Sequence, residues 1–368
     1  MPNQYKIPFT EQFERVMYEL VRDKASNTAM EPKYKGAIND VYMADFLTLP
    51  EDYLRKTGTF RTIGDYVTGS ITVANGGATI VGVATAWTSA NSNDGLLKAT
   101  DTETVFRVAY SGALVLTMGS PATWVDAALT AKGYRIIFDR YALVSDFGHM
   151  VIDDIDDPEA VYWWTGGARQ HLTPQDNGEF ERDFSFAYGT PDKYTVKYID
   201  TDPYMYIWPA DDITRSIFYE YIPMITGLTE YTTGTASCTN GATAVTGTST
   251  DWDGYLSTTE DYYLRFDGDG TGSASVWYKI STYTGDTSIT LSSAYNGATK
   301  SAASYTISKV SKYPAKYDTA LIYGAALRVD PSNTDAQRWA NIYLSLMPTM
   351  KGIDGSRIQG KKGSYKRA

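Results

Sequence analysis

The sequence predicts a multidomain α+β chain. Its parts are a discontinuous helical bundle from both chain ends, an antiparallel β meander, and two inserted small β-barrel or β-sandwich modules. Three observations predict it. First, residues 68–87 (TGSITVANGGATIVGVATAW) align without a gap with residues 233–252 (TGTASCTNGATAVTGTSTDW). Gly69, Asn75-Gly76, Gly82 and Trp87 each meet a counterpart 165 positions later, at Gly234, Asn240-Gly241, Gly247 and Trp252. A solenoid repeats every ~20–50 residues, so this spacing marks one small β unit used twice. Second, apolar residues near both ends recur at helical spacing. Third, the stretch between the two copies is rich in aromatic and β-branched runs, as strands prefer.

In chain order, residues 10–24 predict an amphipathic helix, with Phe13, Val16, Met17, Leu20 and Val21 on one face. Thr10 is its expected N-cap, and Glu11 favours the positive helix end. A second helix is expected over Ala37–Leu47, and Pro50 then suits the start of a helical turn. The first β module has strand-like runs at 71–73, 79–81, 104–108, 114–116 and 134–137. Asn75-Gly76 is a hairpin signal, because both residues tolerate positive φ. The second module repeats the layout at 276–280, 288–291 and 305–307. Each is small enough that closure, which removes exposed edges, is the expected solution. Between them, 194–199, 204–208 and 216–222 read as a meander, with Pro209-Ala210-Asp211-Asp212 turning between the last two. Helices return over 314–329 and 334–347, broken at Asp330-Pro331-Ser332-Asn333 and ended by Pro348. The expected division is a helical core of 1–67 with 311–352, a first β module at 68–138, an antiparallel β region at 139–232 joined to the core, a second β module at 233–310, and an extended basic tail at 353–368.

Composition narrows the function. No apolar run reaches the ~20 residues of a membrane span. A single cysteine rules out an intrachain disulfide framework. The N-terminus lacks the charged and apolar regions of a secretory signal, so synthesis in a reducing cytoplasm is expected. Thirty tyrosines suit half-buried strands and wet interfaces, where the ring packs and the hydroxyl keeps a polar partner. The net charge is −10, and residues 139–222 alone hold 17 Asp/Glu against 6 Lys/Arg. Such a body repels nucleic acid at long range.

Residues with chemical potential are few. His149 and His171 lack metal-ligand spacing and read as ordinary histidines. Cys238 aligns with Val73 and so reads as a buried, inert thiol. The Asp267-Gly268-Asp269-Gly270-Thr271-Gly272 stretch suggests a calcium loop, but its twelfth position is Tyr278 instead of Glu, so a glycine-rich turn is expected. Asp153-Asp154-Ile155-Asp156-Asp157 reads as a solvated acidic loop rather than half of a glycosidase pair. No catalytic residue, metal ligand or cofactor is expected, and the chain is expected not to be an enzyme. The clearest candidate is the tail, where Arg357, Lys361, Lys362, Lys366 and Arg367 are interspersed with Gly and Ser and no acid. It reads as a disordered terminus, as a segment that orders on a partner, or as a non-specific DNA arm.

The order of an N-terminal helix, Leu49-Pro50-Glu51-Asp52-Tyr53, strands containing Ile207-Trp208-Pro209-Ala210-Asp211, and helices from Tyr313-Pro314 to Met347 resembles head-to-tail connector (adaptor, neck) proteins of tailed bacteriophages. The N-G-x-T-x-V-x-G run from Asn240 to Gly247 is similar to modules of phage neck and tail proteins. The first copy departs from that run at Ala78 and Ile80. The resemblance implies a structural ring, usually of twelve copies, beneath the portal protein. In that family helices form the ring wall and the C-terminal segment enters the portal, a role that falls here on Arg357 to Ala368. Tail or nozzle proteins would meet the opposite face. DNA would pass through non-specifically, with no membrane and no cofactor involved. The location implied is the virion neck, assembled in the host cytoplasm, with a part in genome ejection. The alternative is a carbohydrate-binding or adhesive virion protein, with Trp87, Trp124, Trp163, Trp164 and Trp252 as sugar platforms. A glycan-degrading enzyme is a third reading.

Overall fold

The structure, a computed structural model, describes residues 6–21, 30–45, 54–120, 122–151, 160–183, 186–269 and 276–346. It is mixed α and β, mostly strand, and its sheets are antiparallel apart from two short parallel pairs. The chain forms two compact units. One combines residues up to Leu54 with those from Ile225 onward; the other is Arg55–Met224.

In the first unit, helices Phe9–Val21, Glu31–Asp40 and Asp318–Val329 pack on one another. Phe13, Val16 and Met17 are buried, as their spacing predicts. Thr10, Glu11, Gln12 and Glu14 are buried as well: Thr10 and Glu14 contact Ser308 and Arg265 of the second β module, while Gln12 bonds to Ile7. Glu14 accepts two hydrogen bonds from the Arg265 guanidinium, at 2.9 and 3.2 Å. Pairing both charges is what makes their burial tolerable.

Two helix starts differ from expectation. Thr10 is not the N-cap. The helix begins at Phe9, and the Gln12 amide donates to the Pro8 carbonyl at 2.9 Å. The Thr10 hydroxyl instead donates to Glu230 Oε2 at 2.7 Å, so tertiary contact outcompetes local capping. The second helix starts at Glu31, not Ala37, with Pro32 in its first turn, where a missing N–H costs nothing. It passes into a π-helical turn at Val41–Asp45. Leu47, Pro50, Met347 and Pro348 lie outside the described residues. The closing helices are present at Asp318–Val329 and 336–346.

The two β modules share one topology. In the first, the strands in chain order are Ser70–Val73, Thr79–Val83, Leu96–Ala99, Phe106–Gly112, Val115–Ser120, Leu129–Lys132 and Tyr134–Ile137. In the second they are Thr235–Cys238, Ala244–Thr248, Tyr262–Phe266, Tyr278–Tyr283, Ser288–Leu291, Lys300–Ala303 and Tyr305–Lys309. Across both sheets the order is sixth, first, second, fifth, fourth, third, seventh. The sixth and seventh strands lie at opposite ends of this order, with Glu230–Tyr231 added outside the seventh strand in the second sheet, yet only Gly133 or Ser304 separates them in sequence. Consecutive Cα atoms are ~3.8 Å apart, so each sheet must curl until its edges meet. The result is a half-barrel, neither a sandwich nor a fully paired barrel.

The correspondence reaches individual hydrogen bonds. Trp87 Nε1 donates to Tyr134 Oη and Trp252 Nε1 to Tyr305 Oη, both at 2.9 Å. Those hydroxyls in turn donate to the Thr68 and Thr233 carbonyls, both at 2.6 Å. Gly82 and Gly247 lie under the tryptophans, where an added Cβ would sit 2.8 and 2.9 Å from the indole and collide with Thr85 or Thr250. The repeat also begins earlier than the sequence match suggests. Tyr66 pairs with Ile136, and Tyr231, 165 positions on, pairs with Ile307.

In the second unit, Ser216–Pro223 is central, pairing with Lys56–Arg61, Phe147–Met150 and Val161–Thr165. Lys193–Ile199 and Asp202–Trp208 form a hairpin extended by Arg140–Ala142. The expected three-strand meander is therefore wrong: its last strand belongs to another sheet. Buried Asp211 explains the departure. Its carboxylate accepts from the Thr62 hydroxyl at 2.9 Å and pairs with Arg215, which draws the chain toward the strand beside Thr62.

Candidate interaction surfaces

The tail residues Arg357, Lys361, Lys362, Lys366 and Arg367 lie outside the described residues, as do Asp153 to Asp157 and Gly270 to Gly272. The described part of the acidic glycine-rich turn is closed by internal partners. Asp269 pairs with Lys300 at 2.9 Å and accepts from Tyr295 Oη at 2.8 Å. Cys238 is buried on its strand, and burial pushes its thiol pKa up, as expected of an inert side chain. His149 sits on a strand opposite Ile222 and His171 on a different strand, 5.9 Å from the Tyr162 ring. No group of three or more His, Cys, Asp or Glu with metal-binding geometry occurs among the described residues.

The five tryptophans divide sharply. Trp87, Trp124, Trp163 and Trp252 are buried. Trp124 stacks on Phe106 at 4.3 Å, and its indole N–H donates to the Ala127 carbonyl. Their faces are used inside the fold. Trp164 alone is open, at 53% exposure.

Trp164 belongs to a feature the sequence reading missed. Val161–Thr165 and Ala168–His171 form a hairpin turned by Gly166-Gly167, with φ of +55° and +85°. Such angles suit glycine in a two-residue hairpin turn. All four residues of the second strand are exposed, and that strand lies at the edge of its sheet. The Arg169 guanidinium lies 4.3 Å from the centre of the Tyr162 ring and 5.2 Å from that of Trp164. Tyr162 also stacks on Phe218 at 5.5 Å. Cation–π contact holds Arg169 in place without using its hydrogen-bond donors. Residues 160–174 contain no Asp or Glu. That gap in an otherwise acidic stretch, together with the Gly-Gly pair between VYWWT and ARQH, was a signal available in the sequence.

A second surface emerges from comparing the modules. Val81, Val83 and Leu114 are 47%, 52% and 49% exposed on the first. Aligned on the strand pairs, the second carries Thr246, Thr248 and Thr287 there. The same outer face is apolar on one copy and hydroxylated on the other.

A strongly perturbed carboxyl is Asp318, in the first turn of its helix. Burial pushes its carboxyl pKa up to about 7. Oδ2 accepts from the Ile7 amide at 2.7 Å, while Oδ1 is buried without a partner. Gln12, whose side-chain amide donates to the Ile7 carbonyl, also leaves its Oε1 buried and unpaired. A carboxyl that keeps its proton avoids burying a charge on the oxygen without a donor. This carboxyl fastens the N-terminal segment to the Asp318–Val329 helix.

No described helix is long and apolar enough to cross a membrane. Compared with protein-family models, curated proteins and solved structures, the chain matches none.

Proposed function

We propose that this chain is a structural adaptor of a tailed-phage head-to-tail connector. Copies form a closed ring, twelve-fold in the simplest case, that joins portal to tail and surrounds the DNA path. The observation that carries the reading is that helices from both ends of the chain pack together. A β module emerges between them in sequence, and its twin occurs in the other unit. That packing supports reading the chain as a helical core from which β modules extend. The modules devote their tryptophans to interior hydrogen bonds, which suits rigid parts that fit against neighbours. The motif order from Leu49 to Met347 adds the family resemblance.

The basic segment Arg357 to Ala368 is the proposed portal-docking element. Five cations with no acid complement an acidic groove, and the peptide gains order on binding. No catalytic step, metal or cofactor is proposed. Deleting 357–368 should leave the thermal unfolding of the chain unchanged while weakening its pull-down by portal protein. Full-strength pull-down of the truncated chain would remove the docking role. The adhesive reading loses support from the burial of four of the five tryptophans named for it.

A further inference from the structure

We infer that the edge of the Val161–His171 hairpin is a docking site for an acidic, extended peptide segment of a partner protein, bound by strand addition. The argument starts from main-chain geometry. Leu172 donates its amide to the Val161 carbonyl at 2.9 Å. In an antiparallel ladder, hydrogen-bonded and non-hydrogen-bonded pairs alternate. The pairs 161/172, 163/170 and 165/168 are therefore bonded, whereas Tyr162/His171 and Trp164/Arg169 are not. The N–H and C=O groups of Arg169 and His171 consequently point away from the partner strand, along the sheet edge. This side of the strand is competent to pair. Two residues further on, Thr173 donates from the same side to the Asp192 carbonyl at 2.8 Å. From Thr173 onward that side is taken by the chain's own Lys193–Ile199 strand, so the open edge is Ala168–His171.

Side-chain chemistry selects the occupant. Tyr162, Trp164, Arg169 and His171 project from one face, since cross-strand partners share a face. Several other arginines close against carboxylates: Arg107 on Asp139, Arg140 on Asp94, Arg215 on Asp211 and Arg265 on Glu14. Among the described residues Arg169 contacts the Tyr162 and Trp164 rings and no carboxylate. Its fork is held in place with its donors free, a geometry suited to a carboxylate. The absence of acid from residues 160–174 completes the complementarity. A peptide alternating acidic and apolar residues puts carboxylates on Arg169, while its backbone pairs with Arg169 and His171. A fully exposed edge without a proline or an acidic residue is otherwise a hazard that folded proteins blunt. This inference is independent of the connector reading, since it concerns one edge of one unit.

The test uses the full chain and a fluorescein-labelled nine-residue peptide of alternating Val and Glu, read by fluorescence anisotropy. A Val-Lys peptide and a Pro-Glu peptide, which lacks the valine amides, are the controls. The Val-Glu peptide should bind at least about tenfold more tightly than either control, since a charge-assisted hydrogen bond is worth ~1.5–3 kcal/mol. Arg169→Glu, an exposed substitution, should weaken binding by a similar factor without changing thermal unfolding. Hydrogen exchange on the full chain should show the amides of Arg169 and His171 gaining protection when peptide is added. Equal binding of all three peptides, undiminished binding by Arg169→Glu, or protection elsewhere would overturn the inference. So would the absence of Val-Glu peptide binding; cellohexaose binding lost in Trp164→Ala would then make the hairpin a sugar platform.

Discussion

Replacing Asp318 with Asn tests whether the buried carboxyl is neutral in the fold. The structure raises its pKa to about 7, with burial as the main cause. Contact with the Ile7 amide and the nearby Lys6 and Arg15 charges opposes the shift, and Glu11 adds to it. In the unfolded chain a carboxyl titrates near ~3.9, a difference of about three units, each worth ~1.4 kcal/mol. The sign follows from proton counting. Between pH ~4 and ~7 the folded state holds a proton that the unfolded state has released, so stability falls as pH rises. The favourable contribution is complete below pH ~4, and about 4 kcal/mol has been lost above pH ~7. Asn cannot ionise. It keeps an acceptor for the Ile7 amide and puts an NH2 where Oδ1 lacks a donor. The suitable assay is hydrogen exchange of the Asp318–Val329 amides, corrected for intrinsic rates, because it reads this unit alone. At pH 8, Asp318→Asn should increase protection by up to about 10³-fold; at pH 4 the two proteins should be nearly equal. A variant no more protected than wild type at pH 8, or equally different at both pH values, would refute the reasoning.

Further predictions concern the interior. Arg265→Ala should cost ~3–5 kcal/mol by removing the guanidinium that pairs with buried Glu14, and Arg265→Met with Glu14→Leu should recover most of it; denaturant unfolding of both variants checks this. Gly247→Ala should destabilise the first unit by more than ~1 kcal/mol, because its Cβ collides with Thr250 and Trp252, whereas Gly178→Ala, on an exposed helix, should not; unit-resolved hydrogen exchange separates the two. Trp87→Phe and Trp252→Phe should each cost about 1–3 kcal/mol, confined to the unit holding the change, since each removes an indole donor and leaves a buried tyrosine hydroxyl without it.

What was legible in the sequence was what rests on local pattern. The α+β class, the strand at 194–199, the helix from 318 and the alignment of Trp87 with Trp252 all depend on periodicity or direct repetition. The misreadings share a cause in long-range contact. Thr10 looked like a cap but bonds to Glu230, far along the chain. Ser216–Pro223 looked like the third strand of a meander, but the Asp211 bonds to Thr62 and Arg215 send it to another sheet. Leu96–Ala99 and Leu129–Lys132 are strands of four residues, too short for alternation to mark them. Buried Glu14 was invisible because its partner, Arg265, sits 251 residues away. The hairpin edge at Arg169 needed pairing geometry to be seen at all.

The adaptor claim rests on assembly, and imaging addresses it most directly. Purified full-length chain, alone and mixed with portal protein, should be examined by negative-stain electron microscopy, with mass photometry on the same samples. The account predicts closed rings in at least the portal-containing sample, with a mass corresponding to about twelve chains. Single subunits in both samples, with no ring and no density added to the portal, would contradict it.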